Sequence, residues 1–148
     1  MCNDIVFARV EREPELVAFL VRMDREFPHP LSSKCDLSVY ASKLLTGGIV
    51  EGAWEGDELL GILAGYANDL GAREAYISAL VVDPRYRGRR ISSKLLSNFE
   101  DDARKAGMDS SRVFTYKTNA AAFGLYTAHG YQTVGLHDNG DYELLKRF

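Results

Sequence analysis

The chain has 148 residues, 46% hydrophobic and 26% charged, with 18 Lys and Arg against 21 Asp and Glu and a net charge of −3. That length suits a single domain over residues 1–148, large enough to bury a core without disulfides or a structural metal. The composition excludes global disorder, and the acidic balance argues against a general nucleic-acid or membrane-surface binder, which would be more basic.

In chain order, Ile5 to Val10 alternates and predicts a short strand. Pro14 to Phe27 follows with Leu16, Phe19, Leu20 and Met23 at helical spacing. Pro14 suits the first turn, where its missing N–H has no partner to lose, and Pro28-His29-Pro30 ends the helix. A second helix is predicted from about Leu37 to Leu45, stopped by Gly47-Gly48. Ile49 to Trp54, Glu58 to Asn68 and Ala75 to Val82 read as three strands, the first two joined by a hairpin at Glu55-Gly56-Asp57. The run from Ala75 to Val82 is almost wholly apolar, as a central strand covered on both faces would be. Ile91 to Ala106 is a helix with Ile91, Leu95, Leu96, Phe99, Ala103 and Ala106 on one stripe, and Gly107 is placed for a left-handed cap. A strand over Arg112 to Tyr116, a helix over Asn119 to His129, and a hairpin of Gln132 to Leu136 with Tyr142 to Lys146 complete the chain. The order β-α-α-β-β-β-α-β-α-β-β predicts an α/β sandwich: a mixed, mainly antiparallel central sheet flanked by about four helices.

Met1 to Arg9 lacks the basic-then-apolar order of a signal peptide, and no run approaches the roughly 18 apolar residues of a membrane helix. Cys2 and Cys35 stand far apart and form no CxxC pair, so a cytoplasmic protein with free thiols is expected. His29, His129 and His137 lack metal-ligand spacing, so no metal is expected.

Two windows carry chemistry. From Asp83 to Lys94, five cations face one carboxylate, a local charge of +4 that leaves −7 on the rest of the chain. This window joins the apolar strand to the start of the Ile91 helix, where open N–H groups and the macrodipole favour an anion. Gly88 and the small Ser92-Ser93 pair let a phosphate approach the backbone, so a phosphate or pyrophosphate site is expected there. The alternative is a solvated basic turn. A GxxxxGK[ST] loop and a GxGxxG fingerprint are both absent. In the second window Asn119 and Tyr126 are seven residues apart on one helical face, with Gly130-Tyr131 closing the helix. Taken alone, such a tyrosine is better explained by core packing than by catalysis.

Together the windows resemble a known family. Leu80-Val81-Val82-Asp83-Pro84-Arg85-Tyr86-Arg87-Gly88-Arg89-Arg90-Ile91-Ser92-Ser93-Lys94-Leu95-Leu96 is similar to the acetyl-CoA-binding motif of the GCN5-related N-acetyltransferases. Asn119 to Tyr131 is similar to that family's next motif, an Asn, a Tyr seven residues on, then Gly-Phe or Gly-Tyr. The family pattern of Gln or Arg, two residues, Gly, one residue, then Gly or Ala meets Arg87 at its first position. Arg90 stands where Gly is usual and Ser92 where Gly or Ala is usual.

The resemblance implies an N-acetyltransferase using acetyl-CoA on a small-molecule primary amine. It implies that the strand of Leu80, Val81 and Val82 pairs with the pantetheine arm. Arg87, Gly88, Arg89, Arg90, Ile91, Ser92 and Ser93 would cradle the pyrophosphate, Asn119 would reach the pantetheine or thiol end, and Tyr126 would be the general acid. His29 lies in a loop that borders the acceptor pocket in this family, and Asn68, Asp69 and Tyr76 lie near the ends of the central strands. These four are the acceptor-side candidates, although an Asp in such a turn is ordinarily there for local hydrogen bonding. The base is open between a carboxylate of this region and a water chain. Members often form homodimers, but this sequence carries no dimer signal. A non-catalytic acyl-CoA-binding sensor is the alternative function. Nucleic-acid binding through Arg85 to Arg90 is disfavoured by the acidic remainder and the lack of a stacking platform.

Overall fold

The computed structural model describes residues 4–27, 29–116 and 118–148. Cys2 and Pro28 lie outside these residues. The described residues form seven strands in one sheet, ordered β1-β2-β3-β4-β5-β7-β6, and four α-helices. The strands are β1 (Val6–Arg9), β2 (Ile49–Glu55), β3 (Glu58–Tyr66), β4 (Glu74–Val82), β5 (Ser110–Tyr116), β6 (Gln132–Leu136) and β7 (Asp141–Arg147). Only β4 and β5 pair in parallel, so the mixed, mainly antiparallel sheet is as the sequence predicts.

Helix α1 (Glu13–Met23) opens with Pro in its first turn and buries Leu16, Phe19, Leu20 and Met23. The predicted continuation to Phe27 is not helical. Asp24–Glu26 tightens into a 3-10 turn, and the Asp24 carboxylate accepts the Ser32 N–H at 3.0 Å, holding the next turn, Leu31–Ser33. Helix α2 (Leu37–Gly47) starts where Asp36 accepts the N–H groups of Ser38 (2.9 Å) and Val39 (3.3 Å). These two helices cover one face of the sheet, with Leu20, Leu44, Val50, Ile62 and Val81 in the shared core.

Helix α3 (Ile91–Lys105) lays the predicted stripe of Ile91, Leu95, Leu96, Phe99 and Ala103 on the other face, beside α4 (Ala120–Ala128). Gly107, at φ +96°, takes the left-handed position just past α3. Strand β5 begins at Ser110, two residues before the predicted start, because the buried Ser110 and Ser111 pair with Glu74 and Ala75. Two polar residues inside a ladder leave no alternation to read.

Strand β4 is the centre of the molecule. Its pairing with β3 runs Ala64↔Ala79 and then Gly65↔Ile77, so Ser78 is an inserted, bulged residue. The bulge brings backbone very close: a Cβ on Gly65 would lie 2.3 Å from the Tyr76 carbonyl and 2.8 Å from Phe99. Only glycine fits there. On its other edge β4 pairs with β5 through Glu74↔Ser110 to Ile77↔Val113 and no further, although both strands continue. The sheet is therefore split between the C-terminal halves of β4 and β5.

Candidate active site

The split exposes backbone that can pair with something else. The Asp83 N–H donates to the Leu60 carbonyl at 2.8 Å. Alternation along an antiparallel ladder then turns the N–H and C=O groups of Val81 toward β3, and those of Leu80 and Val82 toward the open side. A chain with amide groups can lie along that edge as an extra strand would.

The edge leads to the turn before α3. The Asp83 side chain accepts the Arg85 N–H at 3.0 Å and so starts a 3-10 turn over Pro84–Tyr86. Gly88 (φ +83°) and Arg90 (φ +60°) then bend the chain into the helix through left-handed backbone. The first bond closing back into α3 is Lys94 N–H to Arg90 C=O, which leaves the N–H groups of Ile91, Ser92 and Ser93 open. No atom lies within 4 Å of a Cβ built on Gly88, so the turn faces free space.

The basic side chains are less uniform than their sequence. Arg85 bridges Asp83 (2.9 Å) and Glu58 (2.8 Å), which raises its pKa further and commits it to structure. Arg87 pairs with Glu26 at 3.0 Å, and the Arg89 guanidinium lies 5.2 Å from the Tyr86 ring centroid. Among the described residues Arg90 has no ion-pair partner.

A cleft of about 770 Å³ runs beside Leu80, Val81 and Val82 to the α3 turn, with Arg87, Gly88, Arg90, Ile91, Ser92 and Ser93 on its wall and Asn119 at its inner end. Of the residues expected around a pyrophosphate, Arg89 alone is off this wall. A second pocket of about 300 Å³ continues into the split between β4 and β5. Phe27, Leu80, Asn119 and Ala122 border both, so the two spaces join there.

Asn119 caps α4, its Oδ1 accepting the Ala122 N–H at 3.2 Å. Nearly two turns later Tyr126 is buried, edge-on to Tyr131 at 5.4 Å between ring centroids, and on the wall of the smaller pocket. Burial pushes its phenol pKa well above the ordinary value, so it keeps its proton. His29 and Tyr76 also line this pocket, His29 against the Tyr116 ring at 4.6 Å. Asn68 and Asp69 do not. The Asn68 amide donates to the Gly47 carbonyl at 2.8 Å, and Asp69 accepts the Ala72 N–H at 3.0 Å, the turn-holding role open to such residues.

Several residues of the smaller pocket carry no motif. Ser78 lies on its wall because β4 bulges there, and its Oγ is 2.6 Å from the Tyr40 hydroxyl of α2. Lys34, Phe114, Thr115, Tyr116 and Asp141 arrive from the loop before α2 and from β5 and β7. Their only signal in the sequence is position at strand ends. Among the described residues no three His, Cys, Asp or Glu side chains gather as a metal site, and no helix is long and apolar enough to cross a membrane.

Known proteins place this architecture. The chain superposes on a GNAT-family acetyltransferase from Streptococcus pneumoniae with TM-score 0.81 and 21% identity, covering 98% of this chain and 99% of that one. An aminoglycoside 6'-acetyltransferase type Ii gives 0.80 and 19%, covering 96% of each chain. The PaiA N-acetyltransferase from Thermoplasma acidophilum, solved with coenzyme A, gives 0.75 and 18%, covering 98% and 99%. A search of curated proteins returned no significant match. Residues 15–131 match the family model described as the acetyltransferase (GNAT) family, and the chain belongs to that family.

Proposed function

We propose that this protein is an acetyl-CoA-dependent N-acetyltransferase acting on a primary amine of a small molecule. The observation that carries the reading is the meeting of two spaces at Leu80, Asn119 and Ala122, with a buried, protonated phenol on the wall of the inner one. Coenzyme A in the T. acidophilum neighbour and the small-molecule acceptor named for the aminoglycoside enzyme support the same reading.

The residues fit an acyl-CoA. The free edge of Leu80 and Val82 suits the amides of a pantetheine arm. The open N–H groups of Ile91, Ser92 and Ser93 suit a diphosphate at the helix N-terminus, with the Arg87 and Arg90 charges beside it. When bound, acetyl-CoA supplies a thioester carbon open to attack by a neutral amine, and a thiolate that leaves as the C–S bond breaks. Leu80 and Asn119, which border both spaces, would hold the thioester at the mouth of the inner pocket. Tyr126 would give its hydroxyl proton to the departing sulfur, while the proton shed by the attacking nitrogen passes to water, from which the phenol recovers its own. Burial keeps the phenol protonated, and a sulfur leaving into the same low-dielectric pocket would be lifted from its ordinary pKa of about 8.5 by the same effect, which brings donor and acceptor closer.

Tyr126→Phe tests the assignment. With acetyl-CoA and a panel of amines, the wild type releases thiol, and the variant loses roughly a hundredfold or more in kcat while its affinity for coenzyme A is unchanged. An unaltered kcat removes Tyr126 from the chemistry. Coenzyme A binding with no turnover on any amine leaves a sensor.

A further inference from the structure

The inner pocket has an asymmetry that bears on which amine it takes. Asp141 opens β7 opposite Tyr116 of β5 and lies on the pocket wall. Its Oδ2 accepts from the Asn139 amide at 3.2 Å, and its own N–H donates to Asn139 Oδ1 at 3.0 Å, so the side chain is pinned. Its Oδ1 is enclosed and has no donor among the described residues. Among the described residues no cation pairs with this carboxylate, so on the pocket wall its charge is met by one amide alone.

The neighbouring walls are aromatic. Tyr76 and Phe114 stand 6.2 Å apart between centroids, and Tyr116 closes the side toward His29. Tyr116 already holds a cation near it, the Lys34 ammonium, 5.7 Å from its centroid. Lys34 is exposed and its charge is screened by water, unlike the enclosed Asp141 oxygen. The negative field of Asp141 reaches the pocket wall: after burial, it is the next cause that lifts the Tyr76 phenol pKa.

We propose that Asp141 is a specificity residue of the acceptor pocket. With the rings of Tyr76, Phe114 and Tyr116, its carboxylate selects an acceptor that arrives as an ammonium on a short apolar body. Aralkylamines fit this description better than amino sugars, since an apolar body gains more from three rings than a hydroxylated one does. This inference rests on the acetyltransferase reading and names the substrate class for it.

Calorimetric titration into protein saturated with coenzyme A separates the two ideas. The probes are 2-phenylethylamine, its neutral isostere 2-phenylethanol, and glucosamine. The amine binds, while the alcohol and the sugar bind weaker by about tenfold or more. Asp141→Asn weakens the amine by a similar factor, leaves the alcohol as it was, and leaves coenzyme A affinity unchanged. Equal binding of amine and alcohol by the wild type overturns the proposal without recourse to any variant. So does an Asp141→Asn protein that holds the amine as before, or a wild type that binds coenzyme A but not the amine. Failure of coenzyme A itself to bind overturns the acetyltransferase reading, and this inference with it.

Discussion

The Tyr40 hydroxyl lies 2.6 Å from Ser78 Oγ and ties helix α2 to the residue that bulges from β4. Burial pushes the Tyr40 pKa up to about 12 even though the Ser78 bond draws it down, so the pair is a neutral hydrogen bond at any working pH. Ser78 sits on the inner pocket wall, two residues before Leu80, where the two spaces join. A bulge held from a helix on the opposite face of the sheet is a bulge fixed in position.

Tyr40→Phe removes that hold at a cost of about 1 kcal/mol. The expected result is a kcat/KM lower by about fivefold, with coenzyme A affinity unchanged, because the α3 end of the cleft is distant in sequence and packing. Steady-state kinetics beside a coenzyme A titration reads both. Equal weakening of coenzyme A binding would show that the bond supports the whole cleft.

Arg90 occupies left-handed backbone (φ +60°, ψ +23°) at the start of α3, a conformation that strains any side chain with a Cβ. Arg90→Gly relieves it and stabilises the fold by about 1 kcal/mol, a rise in Tm of roughly 2–4 °C for a chain of this size. The open N–H groups of Ile91, Ser92 and Ser93 survive the change. Coenzyme A affinity therefore falls by no more than about fivefold, the loss of one exposed charge. A lower Tm would mean that the Arg90 side chain makes contacts worth more than the strain.

Glu26 places a carboxylate on the wall of the larger cleft, paired with Arg87 at 3.0 Å. The pair is partly exposed and worth little to stability. Glu26→Gln frees Arg87 and removes a carboxylate from the cleft proposed to take a diphosphate. Coenzyme A binding tightens by about two- to fivefold at low salt, and the gain shrinks as salt screens it. An unchanged affinity would mean that Arg87 never leaves Glu26.

The fold was legible where physics acts locally. Pro14 in the first turn of α1, Gly107 after α3 and the apolar run of β4 each announce an element through its own residues. The open turn at the start of α3 was legible for the same reason: an arginine-rich turn before an amphipathic helix is contiguous in sequence. The inner pocket was not, because Ser78, Thr115, Tyr116 and Asp141 come from three strands whose C- and N-terminal ends meet only after the sheet splits. Asn68 and Asp69 were placed near it by strand order, but the β3–β4 turn lies at the other end of β4 and spends both side chains on backbone groups. The left-handed Arg90 was foreshadowed by the glycine usual at its position, which is a statement about backbone that the arginine itself does not make.

A buried carboxylate on β2 makes stability depend on pH. Glu51 of β2 is only 4% exposed and lies beside the Asp102 carboxylate of α3, with Arg9 reaching Glu51 at 3.6 Å and Asp102 at 3.2 Å. Burial, then the hydrogen bond it gives to Asp102, lifts the Glu51 pKa to about 8, while accepting that bond lowers the Asp102 pKa. The folded state thus holds a proton on Glu51 that the unfolded chain releases near the ordinary glutamate value of 4.5. The stabilisation from this proton is complete below that value and is lost as pH rises toward 8, at up to about 1.4 kcal/mol per pH unit. Asp102 acts with the opposite sign, and only in acid, below its ordinary range near 3.8. Denaturant unfolding at pH 5, 6.5 and 8 should show the wild type weakening steadily across the series. Glu51→Gln keeps a donor for Asp102 without a proton to lose, so its stability stays flat and exceeds the wild type at pH 8. A wild type equally stable at pH 5 and pH 8 would mean that Arg9 neutralises both carboxylates, and that no proton is shared between β2 and α3.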